Sequence, residues 1–238
     1  MNNQGAEYSP VTCCQRLLAL LPQCAAGRFY RVQSAYFIPV KARFMLVKLL
    51  PVTLLALLSA GVQAATSATG LVAAARSQVG VTLSYDPRYE RLAYPGGDVP
   101  IERGVCTDVV VRAYRKLGAD LQVLVHKDMQ QAWQVYQKNG RWQMKAPDRN
   151  IDHRRVPNLA TFFGRHGSSL PVSQDGSNYK AGDIVTWMLP GKLTHIGIVS
   201  DRQAGGVPLI IHNIGAGARE DNILFAYPVT GHYRWQGK

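Results

Sequence analysis

The chain has 238 residues, 47% of them apolar and 18% charged, the balance of a globular protein rather than a disordered or fibrous one. Its longest apolar run, Leu49 to Val62, contains Pro51 and Thr53 and is shorter than the about 20 residues that a spanning helix needs, which excludes a polytopic membrane protein. The formal charge of +12 calls for a polyanionic partner or an anionic surface, but no dense Lys/Arg stripe with interleaved aromatics accompanies it, so nucleic acid is set aside.

At the amino-terminal end, Lys41, Arg43 and Lys48 precede the apolar run, and Gly61-Val62-Gln63-Ala64-Ala65 follows it. Basic, apolar, then small residues is the order of a secretory signal peptide, with Val62 and Ala64 small enough for the positions before the cut. The expected organisation is a mis-assigned extension over 1–44, a signal peptide over 45–64 starting at Met45, and one domain over 65–238. The expected location is outside the cytoplasm, in the periplasm or beyond, with no stable membrane span after cleavage. Of four cysteines only Cys106 lies in that domain, so no disulfide can form within it. A lone thiol among exported residues is either buried and inert or kept for its reactivity.

The first predicted helix covers 71–79, with Leu71, Ala75 and Val79 on one stripe and Gly80 as its stop. From Ser84 to Arg103 the breakers Asp86-Pro87, Tyr94-Pro95-Gly96-Gly97-Asp98 and Pro100 predict a long loop of the kind that borders a site. Val105 to Gly118 predicts a helix, with Val109, Ala113 and Leu117 at i, i+4 and i+8. Cys106 falls in its first turn, where unpaired amides and the positive dipole end favour a thiolate, and Asp108 suits the same dipole. A further helix is predicted from Asp128 through Met129, Trp133 and Tyr136, and a short one beyond Pro157 with Leu159, Phe162 and Phe163.

The period then changes. The runs 184–189, 195–200, 207–212 and 224–227 are short, β-rich and separated by Gly, Pro and Asp, which predicts an antiparallel sheet and an α+β fold. His195 opens one of these strands and His212 closes the next, so antiparallel pairing brings the two imidazoles together. A cysteine nucleophile needs such a base, and the base needs an orienting third group. Asp152-His153-Arg154-Arg155 is a further polar cluster: its arginines either clamp a substrate carboxylate through bidentate bonds or form a solvated turn. No His-x-x-x-His spacing is present among His153, His195 and His212, so no metal is expected.

Gly-Val-Cys-Thr-Asp at a helix start, Gly182-Asp183-Ile184-Val185, and Thr194-His195-Ile196-Gly197-Ile198-Val199 together resemble the papain-like NlpC-type cell-wall cysteine peptidases. The wider match over 71–235, including Tyr-Pro-Gly-Gly-Asp-Val-Pro and His212-Asn213-Ile214-Gly215, resembles an uncharacterised bacterial branch of that superfamily. The resemblance implies a nucleophile helix packed on an antiparallel sheet, Cys106 as nucleophile, His195 as base, His212 as third residue, and a tyrosine beside the site, Tyr94 in preference to Tyr85. Asp108, His153, Arg154 and Arg155 are the candidate substrate contacts. It implies no cofactor, and peptidoglycan or cell-wall peptides as partners. Where relatives carry Asp-Cys-Ser-Gly this chain has Val105-Cys106-Thr107-Asp108, and 121–171 is long enough to form a lid or wall of the cleft. A non-catalytic envelope-binding module on the same fold is the alternative.

Overall fold

The computed structural model describes residues 67–139 and 145–237; the extension and signal peptide expected over 1–64 lie outside the described residues. Among these, five α-helices and a six-stranded antiparallel sheet form a mixed α+β architecture. No helix of the described residues is long and apolar enough to cross a membrane.

Helix α1 (Ala68–Arg76) begins three residues before the predicted stripe because Ser67 caps it, its hydroxyl accepting the Gly70 N–H at 2.9 Å. The loop that follows is not wholly irregular. Strand β1 (Ser84–Tyr85) pairs in parallel with β2 (Arg103–Gly104), setting Tyr85 opposite Gly104, two residues before the cysteine. Helix α2 (Cys106–Lys116) matches the predicted span, and Val109, Val110, Ala113 and Tyr114 on it are fully buried.

The helix expected from Asp128 is in fact two. Helix α3 (Leu121–Gln131) starts seven residues earlier, where Asp120 accepts the Gln122 N–H, and a break at Ala132 precedes α4 (Trp133–Asn139). Asp128 is therefore no start signal: it lies in the last turns of α3, buried, and accepts hydrogen bonds from Tyr136 and Arg165. A single 3-10 turn over Asp152–Arg154 leads into α5 (Val156–His166), with Pro157 in the first turn where its missing N–H costs nothing.

The sheet runs in the order β3 (Ser168–Leu170), β8 (Val229–Arg234), β4 (Ile184–Leu189), β5 (Leu193–Ala204), β6 (Val207–Asn213) and β7 (Ala218–Asp221). Three of the predicted strands are present. The fourth, 224–227, is a turn between β7 and β8, and its apolar residues plug the sheet instead of extending it. Leu224 is fully buried under Trp187 and its carbonyl accepts the indole N–H at 2.9 Å.

One face of the sheet, with Ile184, Ile196 and Ile198, packs against α1, α2 and α5 to make the main core. The other face carries Val185, Trp187, Val199 and Ile210, covered by Tyr179 and Leu224. Both periodicities were therefore needed: helical residues at three and four, strand residues at two.

Candidate active site

The start of α2 is built to hold a polar group at its tip. Asp108 accepts the Val105 N–H at 2.7 Å, closing the helix from its third residue, while the amides of Cys106 and Thr107 turn toward the Cys106 sulfur. Gly104 is required beside it, since a Cβ there would lie 2.9 Å from Asp108 Oδ2 and 3.2 Å from Arg112 Nη1. Asp108 is in turn gripped by Arg154 through two 2.9 Å bonds, both residues being buried. The carboxylate beside the thiol is thus spent on an ion pair that fastens the helix start to the 3-10 turn.

His195 and His212 meet as the strand reading anticipates. The pairing of Ile198 with Ile211 sets His212 opposite Gly197 and diagonal to His195 on one face. His195 Nε2 lies 3.0 Å from His212 Nδ1, with the rings edge to face. Gly197 makes room for this, because a Cβ there would lie 2.6 Å from Ile210 Cγ2 and 3.2 Å from His212 Cβ. Trp187, the cross-strand partner of His195, backs its ring at 5.7 Å between centroids. Beyond His212, Asp221 Oδ2 stands 3.4 Å from Nε2, near enough to attract it but not aligned as a hydrogen bond.

Cys106 and His195 line one cleft of about 760 Å3, and the amide of Ile196, the residue next to the histidine, lies on the thiol's side and favours its charged form. Burial is the largest influence on both groups. It pushes the thiol up to about 12, with Asp108 adding to the rise and the amides of Ile196, Thr107 and Cys106 opposing it. It pulls His195 down to about 3, assisted by His212, and lowers His212 against the opposing pull of Asp221. The helix start alone predicts a lowered thiol; desolvation outweighs it. Burial thus favours the uncharged form of each group.

Of the two tyrosines, the structure brings Tyr85 to the thiol and not Tyr94. Tyr85 lines the cleft, and burial, then the neighbouring Cys106 and Asp108, hold its phenol above the ordinary value. Asn213 secures it there, its amide donating to the carbonyls of Ser84 and Gly104 at 3.2 and 3.0 Å. Tyr94 packs instead on His126 and carries Arg149 over its ring. The breaker-rich sequence around Tyr94 resembled a site border, but the register of Tyr85 with Gly104 decides which hydroxyl arrives.

The segment 121–171 supplies a wall: Ile151, Arg154, Arg155 and Val156 line the cleft. His153 does not line it. That imidazole is buried with Nδ1 lacking a hydrogen-bond partner, and burial and the nearby Arg115 and Arg154 pull it down to about 3. Asp221 and Asn213 were missed by sequence reading. Arg219-Glu220-Asp221 has no apolar alternation to mark a strand, and its strand character comes from pairing with β6. No cluster of three or more metal-type ligands exists among the described residues.

Residues 72–235 match the family described as Domain of unknown function (DUF1287). The chain belongs to that family. It is 57% identical over 162 residues to the protein named Uncharacterized protein YijF of Escherichia coli (strain K12), a stretch that covers 68% of this chain and 78% of that relative. No solved structure matches the chain. Residues 72–235, matched by the family, contain every residue of the cleft described above.

Proposed function

We propose that this protein is a papain-like cysteine hydrolase of the bacterial cell envelope that cleaves amide bonds in peptidoglycan stem peptides or related substrates. The observation that carries this reading is the meeting, in one cleft, of a cysteine at a helix start with a histidine whose far nitrogen is held 3.0 Å from a second histidine. Export rests on the amino-terminal sequence, and the papain-like NlpC-type relationship rests on the order of motifs.

The contact through Nε2 leaves Nδ1 of His195 as the base. That role requires Nε2 to carry its proton and donate to His212 Nδ1, and His212 then turns an N–H toward Asp221. As the sulfur attacks the carbonyl carbon, the thiol proton passes to His195 Nδ1. The oxyanion meets the amides at the start of α2 and the Tyr85 hydroxyl. Collapse of the tetrahedral adduct breaks the C–N bond, His195 returns the proton to the leaving amine, and a thioester remains. Water, deprotonated by the same nitrogen, then releases the acid and restores the thiol.

The burial that raises the thiol also favours a second reading, an envelope-binding module with an idle cysteine. Incubation of the full chain with purified cell-wall peptide fragments separates the two. The hydrolase produces new amino and carboxyl termini, detected by mass spectrometry and absent with Cys106→Ser. Co-sedimentation of both proteins with intact wall material and no cleavage by either would overturn it in favour of binding.

A further inference from the structure

Tyr85 is held at the cleft from both sides of its backbone. On the side that precedes it, Asn213 Nδ2 donates to the Ser84 carbonyl at 3.2 Å and to the Gly104 carbonyl at 3.0 Å. On the side that follows it, the Arg154 guanidinium donates to the carbonyls of Asp86 and Arg88 at 3.2 and 3.1 Å. The same guanidinium reaches both oxygens of Asp108 on α2, and the Asp86 N–H donates to the Gly104 carbonyl at 3.1 Å. Two side chains therefore tie the tyrosine strand to the start of the cysteine helix. Tyr85 and Cys106 line one cleft, and the thiol is among the groups that hold the phenol above its ordinary value.

The anchor for this grip is itself fixed. Arg154 is 7% exposed and stands in the 3-10 turn, whose Asp152 carbonyl accepts the Asn158 side-chain amide of α5 at 3.0 Å. Arg154 is among the expected substrate contacts, yet each of its three nitrogens donates within the protein. They do so as a planar fork, a geometry that a lysine ammonium cannot reproduce. A buried ion pair is weak evidence for stability, because well-packed apolar residues often serve a core as well or better. An apolar pair could not fix the backbone around Tyr85 through its carbonyls and the helix start through Asp108 with one rigid group.

Resting on the hydrolase reading above, we infer that Arg154 and Asn213 are positioning residues that set the Tyr85 hydroxyl against the Cys106 sulfur. The test reads the pH midpoint of iodoacetamide modification at Cys106 in the full chain, followed by mass spectrometry of the Cys106 peptide, which needs no substrate. Tyr85→Phe is expected to raise the midpoint by about one unit, the loss of one hydrogen bond to a charged group. Arg154→Lys and Asn213→Ala each raise it by at least about half as much, and neither raises it further once Tyr85→Phe is present, since both act through that hydroxyl. Arg234→Lys, which weakens an ion pair outside the cleft, lowers the urea midpoint and leaves the pH midpoint in place, so lost stability alone does not mimic the effect. Should Arg154→Lys fail to fold, Asn213→Ala carries the same comparison. An unmoved midpoint in Tyr85→Phe or in either positioning variant, or shifts that add to that of Tyr85→Phe, overturn the inference and leave the hydrolase reading standing wherever cell-wall fragments are still cleaved. Coupled shifts in a protein that cleaves no fragment overturn the hydrolase reading alone. A native Cys106 that iodoacetamide never modifies, while the unfolded chain is modified, overturns both.

Discussion

His232 on β8 and His212 on β6 each lie near a carboxylate in the same sheet, and the difference between them separates structure from chemistry. His232 Nε2 is 2.8 Å from Asp183, which also receives two bonds from Arg234 and the Lys180 N–H, and the imidazole stacks on Tyr179. Every oxygen of that carboxylate is used, and the arrangement ties β8 to the loop before β4. Around His212 the bonds are incomplete: Asp221 is misaligned at 3.4 Å, Nε2 has no hydrogen-bond partner among the described residues, and its ring contact with His195 leads to a cleft. A fully satisfied cluster has nothing left to give a substrate. A chain of imidazoles with one end open does.

The contrast predicts that substitutions in the two places fail in different assays. His195→Ala is expected to lower the rate of amide cleavage by roughly 10²–10⁴-fold, the usual contribution of a positioned general base, with a smaller loss of stability than a broken buried ion pair costs. Steady-state rates on cell-wall fragments check this, and a rate within twofold of the parent would break the assignment. Asp183→Ala should do the reverse. Removing a carboxylate that is 1% exposed strands His232 and Arg234, a loss of about 3 kcal/mol in unfolding free energy, while the refolded fraction keeps its reactivity at Cys106.

Tyr85→Phe sharpens the comparison within the cleft, removing one hydroxyl and no packing. A reduction in turnover of roughly tenfold or more is expected, whereas Tyr94→Phe, outside the cleft, stays within about twofold. Equal effects of the two substitutions would move the site border back to the loop around Pro95.

The smallest effect is on the acid side of the stability curve. His153 and His195 fall to about 3 on folding, and His212 is lowered too, all through burial. A depressed histidine favours the folded state above its unfolded value of about 6.5 and loses that advantage as pH falls and the unfolded chain takes up protons. Asp152, raised to about 6 by burial, opposes this in part because its folded carboxyl takes up a proton first. Urea midpoints should therefore decline between pH 7 and 5, by roughly 1 kcal/mol per pH unit in free energy. A flat profile would mean that these imidazoles are solvated.

Much of this was legible in the sequence, for reasons that can be stated. The helix that begins at Cys106 announced itself through the Val109, Ala113, Leu117 stripe and its Gly118 stop, and the two histidines through their places at the facing ends of neighbouring β-rich runs. What was not legible depended on partners distant in sequence. Asp108 read as a dipole complement or a substrate contact until Arg154, 46 residues on, was seen to hold it. Leu224 to Tyr227 has strand composition, yet Trp187 needs a carbonyl acceptor and Leu224 supplies it from a turn. Tyr85 was ranked behind Tyr94 because the parallel pairing of β1 with β2 involves two residues on each side, too few to leave a periodic trace.

The most direct measurement is the rate of iodoacetamide modification at Cys106 in the native full chain, with and without His195→Ala, across pH 5 to 9. Pairing of Cys106 with His195 predicts modification that persists well below the ordinary thiol range and drops by at least about tenfold in His195→Ala at pH 7. Modification that appears only toward pH 8.5, the unperturbed thiol value, and proceeds identically in His195→Ala would contradict the pairing of Cys106 with His195.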